Sequence, residues 1–387
     1  MRKLVVVLGL CTALLILTLA PLANPPAVEA QTAPDTRPFH MGFTPLPYAI
    51  SFEAVDFTYR SLVQDSDLIV HHFDDGVPWV EALNNQPYSD HIMNDWADRV
   101  RRTEPLRADH KVMLDITPIN FARTGIADYH GTQADMPPPA PFDHMTFDDP
   151  DVETAFYSFA QTAIAYFQPD YLMFGIEVNL LMRLNPSAWD SYMTLHRHLY
   201  TRLKQDYPDL PVFVSMTGID LLDTYTDADH ANQMRAFNDV IDYTDIFALS
   251  MYPYMTRFMT TPYPTDMYDQ LATLTDKPMA ISETGYPAQT FSIQVDPGPR
   301  LTFTSDDTKQ ADYIRYLLDE AQQHQFVFVV NFVLRDYDDL WQAIGGQEDL
   351  TIAWRDTGLY AEDGRERPSL AIWRDVLALP FAGTTGG

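Results

Sequence analysis

The chain has 387 residues and sets 54 acidic side chains against 25 lysines and arginines, a formal charge of −29 at neutral pH. A surplus of that size repels phosphate backbones and anionic membranes, so no nucleic-acid partner is expected. Cys11 is the only cysteine; disulfides, thiolate metal sites and a cysteine nucleophile are excluded from the rest, and stability has to come from burying the 46% of hydrophobic residues in a large core.

At the start of the chain, Arg2 and Lys3 precede an apolar run over 4–20, and Val28-Glu29-Ala30 puts small residues where a signal peptidase reads. Residues 1–30 are therefore expected to be an export signal and 31–37 a linker, giving a secreted, extracellular protein with no membrane association after cleavage. An uncleaved anchor is the competing reading, but the run is short for spanning, and Pro21, Pro25 and Pro26 follow it. Leu10, before Cys11, is too bulky for lipoprotein processing.

From Phe39 onward, β-branched or aromatic runs alternate with amphipathic stretches. The runs cover 39–44, 68–73, 111–117, 171–177, 212–217, 246–252, 279–283 and 326–332. Between them, segments such as 152–167, 191–207 and 308–324 space apolar residues by three and four, as helices with one buried face require. Eight strands alternating with helices predict an α/β fold, a single-domain (β/α)8 TIM barrel over 38–380. A doubly wound open sheet is the alternative, but no glycine-rich phosphate loop follows the first run. The proline run at 137–141 reads as a stiff surface excursion, 368–379 as the closing helix and 381–387 as a flexible tail.

In such a barrel the working side chains sit at the C-terminal ends of strands. Glu177 ends the fourth run and Glu283 the seventh. Burial disfavours the charged form of a carboxylate, and a second carboxylate nearby raises one pKa further. Two such groups about 5 Å apart can cleave a glycosidic bond by double displacement, without cofactor or metal. Each glutamate taken alone could equally be a partner for an arginine.

The segments Phe174-Gly175-Ile176-Glu177-Val178-Asn179 and Ile281-Ser282-Glu283-Thr284-Gly285-Tyr286-Pro287 resemble clan A of the retaining glycoside hydrolases, and the chain looks similar to endo-β-1,4-galactanases and some β-mannanases. The resemblance spans 39–373 and implies Glu177 as acid/base, Glu283 as nucleophile and Tyr252, in Ser250-Met251-Tyr252-Pro253-Tyr254, as a hydrogen-bond donor to the nucleophile. One position departs from it. The clan usually carries Asn directly before the acid/base, where Ile176 stands here; Asn179 is the candidate replacement, although strand parity sets it at another depth.

Further candidates for sugar contacts are His71, His72 and Asp74 after the second run, Asp115 and Asn120 around the third, and Asn331 in the eighth. Side-chain alternation lets only one of His71 and His72 face the lumen. Trp79, Trp189, Tyr254, Tyr286 and Trp341 lie near strand ends, where flat rings could stack on sugars or fill the core. The expected partner is a carbohydrate substrate, met by a monomer. A barrel that binds glycans without cleaving them is one alternative. A metal-dependent hydrolase using the His71, His72 and Asp74 region is the other, although Phe39-His40-Met41 offers no His-x-His pair.

Overall fold

The computed structural model describes residues 34–256, 263–294, 298–346 and 351–382; the expected export signal and the end of the tail lie outside the described residues. The strands are β1 His40–Thr44, β2 Leu68–Phe73, β3 Lys111–Ile116, β4 Tyr171–Met173, β5 Val212–Phe213, β6 Ser215–Thr217, β7 Phe247–Met251, β8 Met279–Thr284, β9 Phe291–Gln294, β10 Arg300–Phe303 and β11 Phe328–Val333. Nine of them pair in parallel in the order β5-β4-β3-β2-β1-β11-β8-β7-β6. All eight runs become strands, and the (β/α)8 barrel expected from their alternation is the fold.

The fifth run is interrupted at Val214: β5 pairs with β4 while β6 pairs with β7, so one run supplies both ends of the nearly closed ring. The fourth run is shorter than expected, since the chain leaves the sheet after Met173. The antiparallel hairpin β9–β10 was not foreseen; Phe291 and Phe303 face each other in it, ring centroids 5.5 Å apart.

The helices are α1 Phe52–Asp65, α2 Trp79–Leu83, α3 Asp90–Thr103, α4 Pro150–Phe167, α5 Asn179–Leu184, α6 Trp189–Asp206, α7 His230–Val240, α8 Met267–Ala272, α9 Asp307–Gln323, α10 Asp338–Ala343, α11 Ile352–Arg355 and α12 Pro368–Leu377. Four of these helices start at a side-chain cap; the Ser51 hydroxyl accepts from the Ala54 N–H, and the Asp306 carboxylate from Thr308 and Lys309. Among the described residues no helix is long and apolar enough to cross a membrane.

Strand alternation sorts the core into two layers. Leu68, Val70, Met113, Met173, Phe213, Ala248, Ala280, Phe328 and Val330 fill the lumen together with Ile176. Their neighbours Ile69, Leu114, Leu172, Val212, Leu249, Ile281 and Val329 pack outward under the helices. The same parity carried one step further puts His72, Asp115, Ser215 and Ser250 at the top of the lumen. In β8 the count would deliver Ser282, but the pairing slips between Leu249↔Ile281 and Ser250↔Glu283. That bulge re-aims the strand end, so Glu283 takes the lumen position.

The last helix, α12, packs against α9 and α1. Trp373 Nε1 donates to the Asp65 carbonyl at 2.8 Å, while the buried Asp65 carboxylate accepts from Arg374 Nε at 2.6 Å and Tyr360 Oη at 2.8 Å. Arg37 and Phe381, read from the sequence as linker and tail, pair with each other below β1, and Arg37 holds Asp67 at 2.6 Å.

Candidate active site

Beyond Met173 the chain passes Phe174 and Gly175, where a side chain would press on Val178, Val214 and the Tyr192 hydroxyl, and reaches Glu177 in a left-handed conformation, φ 48°. A non-glycine residue held there costs about 1–3 kcal/mol and persists only when its surroundings fix it. Here they do. The Glu177 N–H donates to Ser215 Oγ at 2.9 Å, the Val178 N–H to the Ser215 carbonyl at 3.0 Å, and the Ser215 N–H to the Gly175 carbonyl at 3.0 Å.

The Glu177 carboxylate is met by three donors from three different elements. Ser250 Oγ of β7 donates to Oε1 at 2.9 Å and Thr217 Oγ1 of β6 at 3.2 Å; Arg123 Nη2 approaches Oε2 at 3.4 Å. Arg123 is itself buried and clamped by Asp74, with contacts of 3.0 and 2.7 Å from its two terminal nitrogens.

Glu283 lies beside this group. Ser250, which reaches Glu177, is its register partner on the neighbouring strand, and Tyr252 Oη donates to Glu283 Oε1 at 2.5 Å. Burial, then the charge of Glu177, push the Glu283 carboxyl up to about 7, against the opposing pull of His72, Tyr252 and Arg123.

His72 and Asp115 complete the lumen layer, with Nδ1 3.1 Å from Asp115 Oδ2. Burial works against the imidazolium, but the hydrogen bond and charge of Asp115, with Glu283 and Asp74, raise His72 to about 9. Asp115 is pushed up to about 6 by its burial, against the pull of His72. Between those values the two form an ion pair. His71 points the other way: its Nε2 meets Thr103 Oγ1 at 3.1 Å, and burial keeps it neutral.

The structure thus gathers Glu177, Glu283, Tyr252, His72, Asp115 and Asp74 at one end of the barrel and places several other candidates elsewhere. Asn179 does not reach the mouth. It is fully buried, accepting from the Thr217 N–H at 2.7 Å and donating to Gln233 Oε1 at 2.8 Å, where it ties α5 to α7. Ile176 plugs the lumen beneath the carboxylates.

Asn331 is buried and donates to the Val333 and Thr357 carbonyls at 2.8 and 3.2 Å. Trp79 and Trp189 are core residues bonded to the Ala127 carbonyl and Asp239. Tyr254 donates to the Ala353 carbonyl, and Tyr286 stacks on Tyr313 at 5.1 Å. Asn120 folds its own loop by accepting from the Thr124 N–H at 2.8 Å. Trp341 alone of the five aromatic candidates is half-exposed, beneath the Arg355 guanidinium.

Sequence reasoning missed Arg123, Thr217, Ser250 and Trp354. Trp354 stands edge-on to Tyr252 at 5.7 Å and is half-exposed. Ser250 was within reach, since it lies in the sixth run at lumen parity. Arg123 lies deep in a loop, where the sequence carries no periodic signal.

Among the described residues two groups of side chains have the spacing to hold a cation, Asp269–Glu320–His324 and Asp336–Asp338–Asp356. Both are already ion-paired, the first through His324, the second through Arg355 and Arg367. Neither includes His71, His72 or Asp74.

No protein-family model matches the chain, and no curated protein sequence does. Solved structures similar to it include the GH53 catalytic domain of Ignisphaera aggregans, 15% identical, TM-score 0.53, over 83% of this chain and 87% of that one. A GH5_18 variant from Bifidobacterium longum subsp. longum in complex with Manβ1-4GlcNAc is 14% identical, TM-score 0.59, over 89% and 80%. The exo-β-1,4-mannosidase of Opitutaceae bacterium strain TAV5 is 12% identical, TM-score 0.58, over 89% and 60%. Other similar structures are longer: this chain spans 34% of a β-glucuronidase of Bacteroides uniformis and 51% of one from Dictyoglomus thermophilum. At these identities the likeness is one of fold, and the chain shares the TIM barrel of these proteins.

Proposed function

We propose that the protein is a retaining glycoside hydrolase that cleaves a β-linked poly- or oligosaccharide outside the cytoplasm. The observation that carries this reading is the convergence of Glu177 and Glu283 on one opening, linked through Ser250. In the first step a Glu283 oxygen bonds to the anomeric carbon as the bond from that carbon to the glycosidic oxygen breaks, and Glu177 gives its proton to the departing oxygen. In the second, Glu177 takes a proton from water, and the water oxygen displaces Glu283 from the same carbon. Burial and the negative charge of Glu177 raise the Glu283 carboxyl to about 7, and attack on the anomeric carbon requires its ionised form.

Tyr252→Phe tests the tyrosine's part. A hydrogen bond to the ionised form lowers a carboxyl pKa, so losing it raises that of Glu283. The nucleophile works deprotonated; the acidic limb of the kcat/KM profile therefore moves to higher pH, by about one unit, and activity near neutrality falls roughly tenfold.

The direct test of the reading is reducing-sugar release from β-galactan, β-mannan, β-glucan and xylan, with NMR of the first product's anomeric configuration. Hydrolysis of one of them with retention supports it. Inversion, or activity that a chelator removes and zinc restores, overturns it. Ile176 in place of the clan's amide favours a second reading, a barrel that binds glycans without cleaving them; tight binding with no reducing ends released is its signature.

A further inference from the structure

Among the described residues seven large apolar side chains are exposed, and five of them, Ile50, Phe52, Phe121, Leu184 and Ile344, lie in the segments that follow strand C-terminal ends. Scattered exposed apolar residues call for no explanation, but a cluster around one opening marks a binding surface. Phe121 is the member of this set most directly joined to the candidate carboxylates.

Phe121 is 70% exposed, yet it stands on a fixed turn. Ile119 pairs with Ile126, the Asn120 N–H donates to the Gly125 carbonyl at 3.0 Å, and the Ala127 N–H to the Pro118 carbonyl at 2.7 Å. Arg123 adopts φ 55°, which turns its side chain inward. The guanidinium lies 5.9 Å from the Phe121 ring centroid and 3.4 Å from Glu177 Oε2, so a single group bridges ring and carboxylate. The segment after Glu177 is tied to the same turn, since Asn185 Nδ2 donates to the Thr124 carbonyl at 2.7 Å, and it brings half-exposed Leu184 to the same ledge.

We propose that Phe121 is a stacking platform for a sugar ring on the leaving-group side of the scissile bond, with Leu184 extending the ledge. This rests on the hydrolase reading above. The acid protonates the glycosidic oxygen, so the ring attached to that oxygen lies on the acid's side, and Glu177 is the carboxylate that Arg123 links to Phe121. A pyranose presents an apolar C–H face, and a flat ring held rigid stacks against it at little cost in conformational freedom.

The test compares two probes from whichever of the four glycans the wild type cleaves: its hexasaccharide, and the β-glycosyl fluoride of its disaccharide, whose leaving group carries no ring. In Phe121→Ala, kcat/KM on the hexasaccharide is expected to fall about tenfold, chiefly through KM, with turnover of the fluoride unchanged. Phe121→Trp should restore the hexasaccharide value. Equal losses on both probes mean that Phe121 supports the fold, and unchanged hexasaccharide kinetics mean that another partner covers it; either result overturns the platform while the hydrolase stands. If the wild type cleaves none of the four glycans, the hydrolase reading fails and takes the platform with it.

Discussion

Glu283→Gln is expected to abolish turnover of every glycan and activated glycoside alike, by about 10⁴-fold or more in kcat. An amide has nearly the same shape, so Tyr252 Oη keeps an acceptor 2.5 Å away and the fold should be untouched. What disappears is the anionic oxygen that attacks the anomeric carbon, without which neither the bond to the sugar nor its later hydrolysis can occur. Folding is checked by thermal denaturation alongside the kinetics. Wild-type rates from a correctly folded variant would remove Glu283 from the mechanism.

Glu177→Gln is expected to show a different pattern, and the difference separates the two roles. A leaving group that departs without a proton, such as fluoride or dinitrophenolate, makes the acid dispensable in the first step, while natural glycosides still need it. The variant should lose roughly 10³-fold or more on oligosaccharide yet still release the activated leaving group in a burst, because the glycosyl-enzyme forms and then waits for a base. Neutralising Glu177 also withdraws the negative charge that helps hold Glu283 up at about 7. The nucleophile then ionises more easily, and the acidic limb measured with the fluoride should move to lower pH. If the burst came from Glu283→Gln instead, the roles of the two residues would be exchanged.

Much of the fold could be read from the sequence because a strand buried on both faces must be apolar along its length, and eight such runs stand out. The ends of the runs were harder. Glu177 sits in a left-handed turn past the true end of β4, and Ser215, which anchors it, belongs to a strand whose break at Val214 leaves no mark in composition. The step in β8 that presents Glu283 instead of Ser282 is a property of the pairing with β7 and is invisible in either strand alone.

Candidates chosen for chemical type alone fared worst. Asn179, Asn331, Trp79 and Trp189 have the functional groups a sugar site uses, but each spends them on the protein's own backbone and side chains. Arg123 was missed for the opposite reason: nothing near it in sequence announces that Asp74, 49 residues earlier, and Glu177, 54 residues later, meet around it.

The seam between Arg37 and Phe381 lies at the N-terminal ends of the strands, the floor of the barrel, while the paired glutamates occupy its roof. A carbohydrate-binding module or surface tether grafted at either side of that seam would hang from the underside, leaving the entrance unobstructed. Anchored in this way, the barrel would be moored to a surface without its own fastening covering the two glutamates.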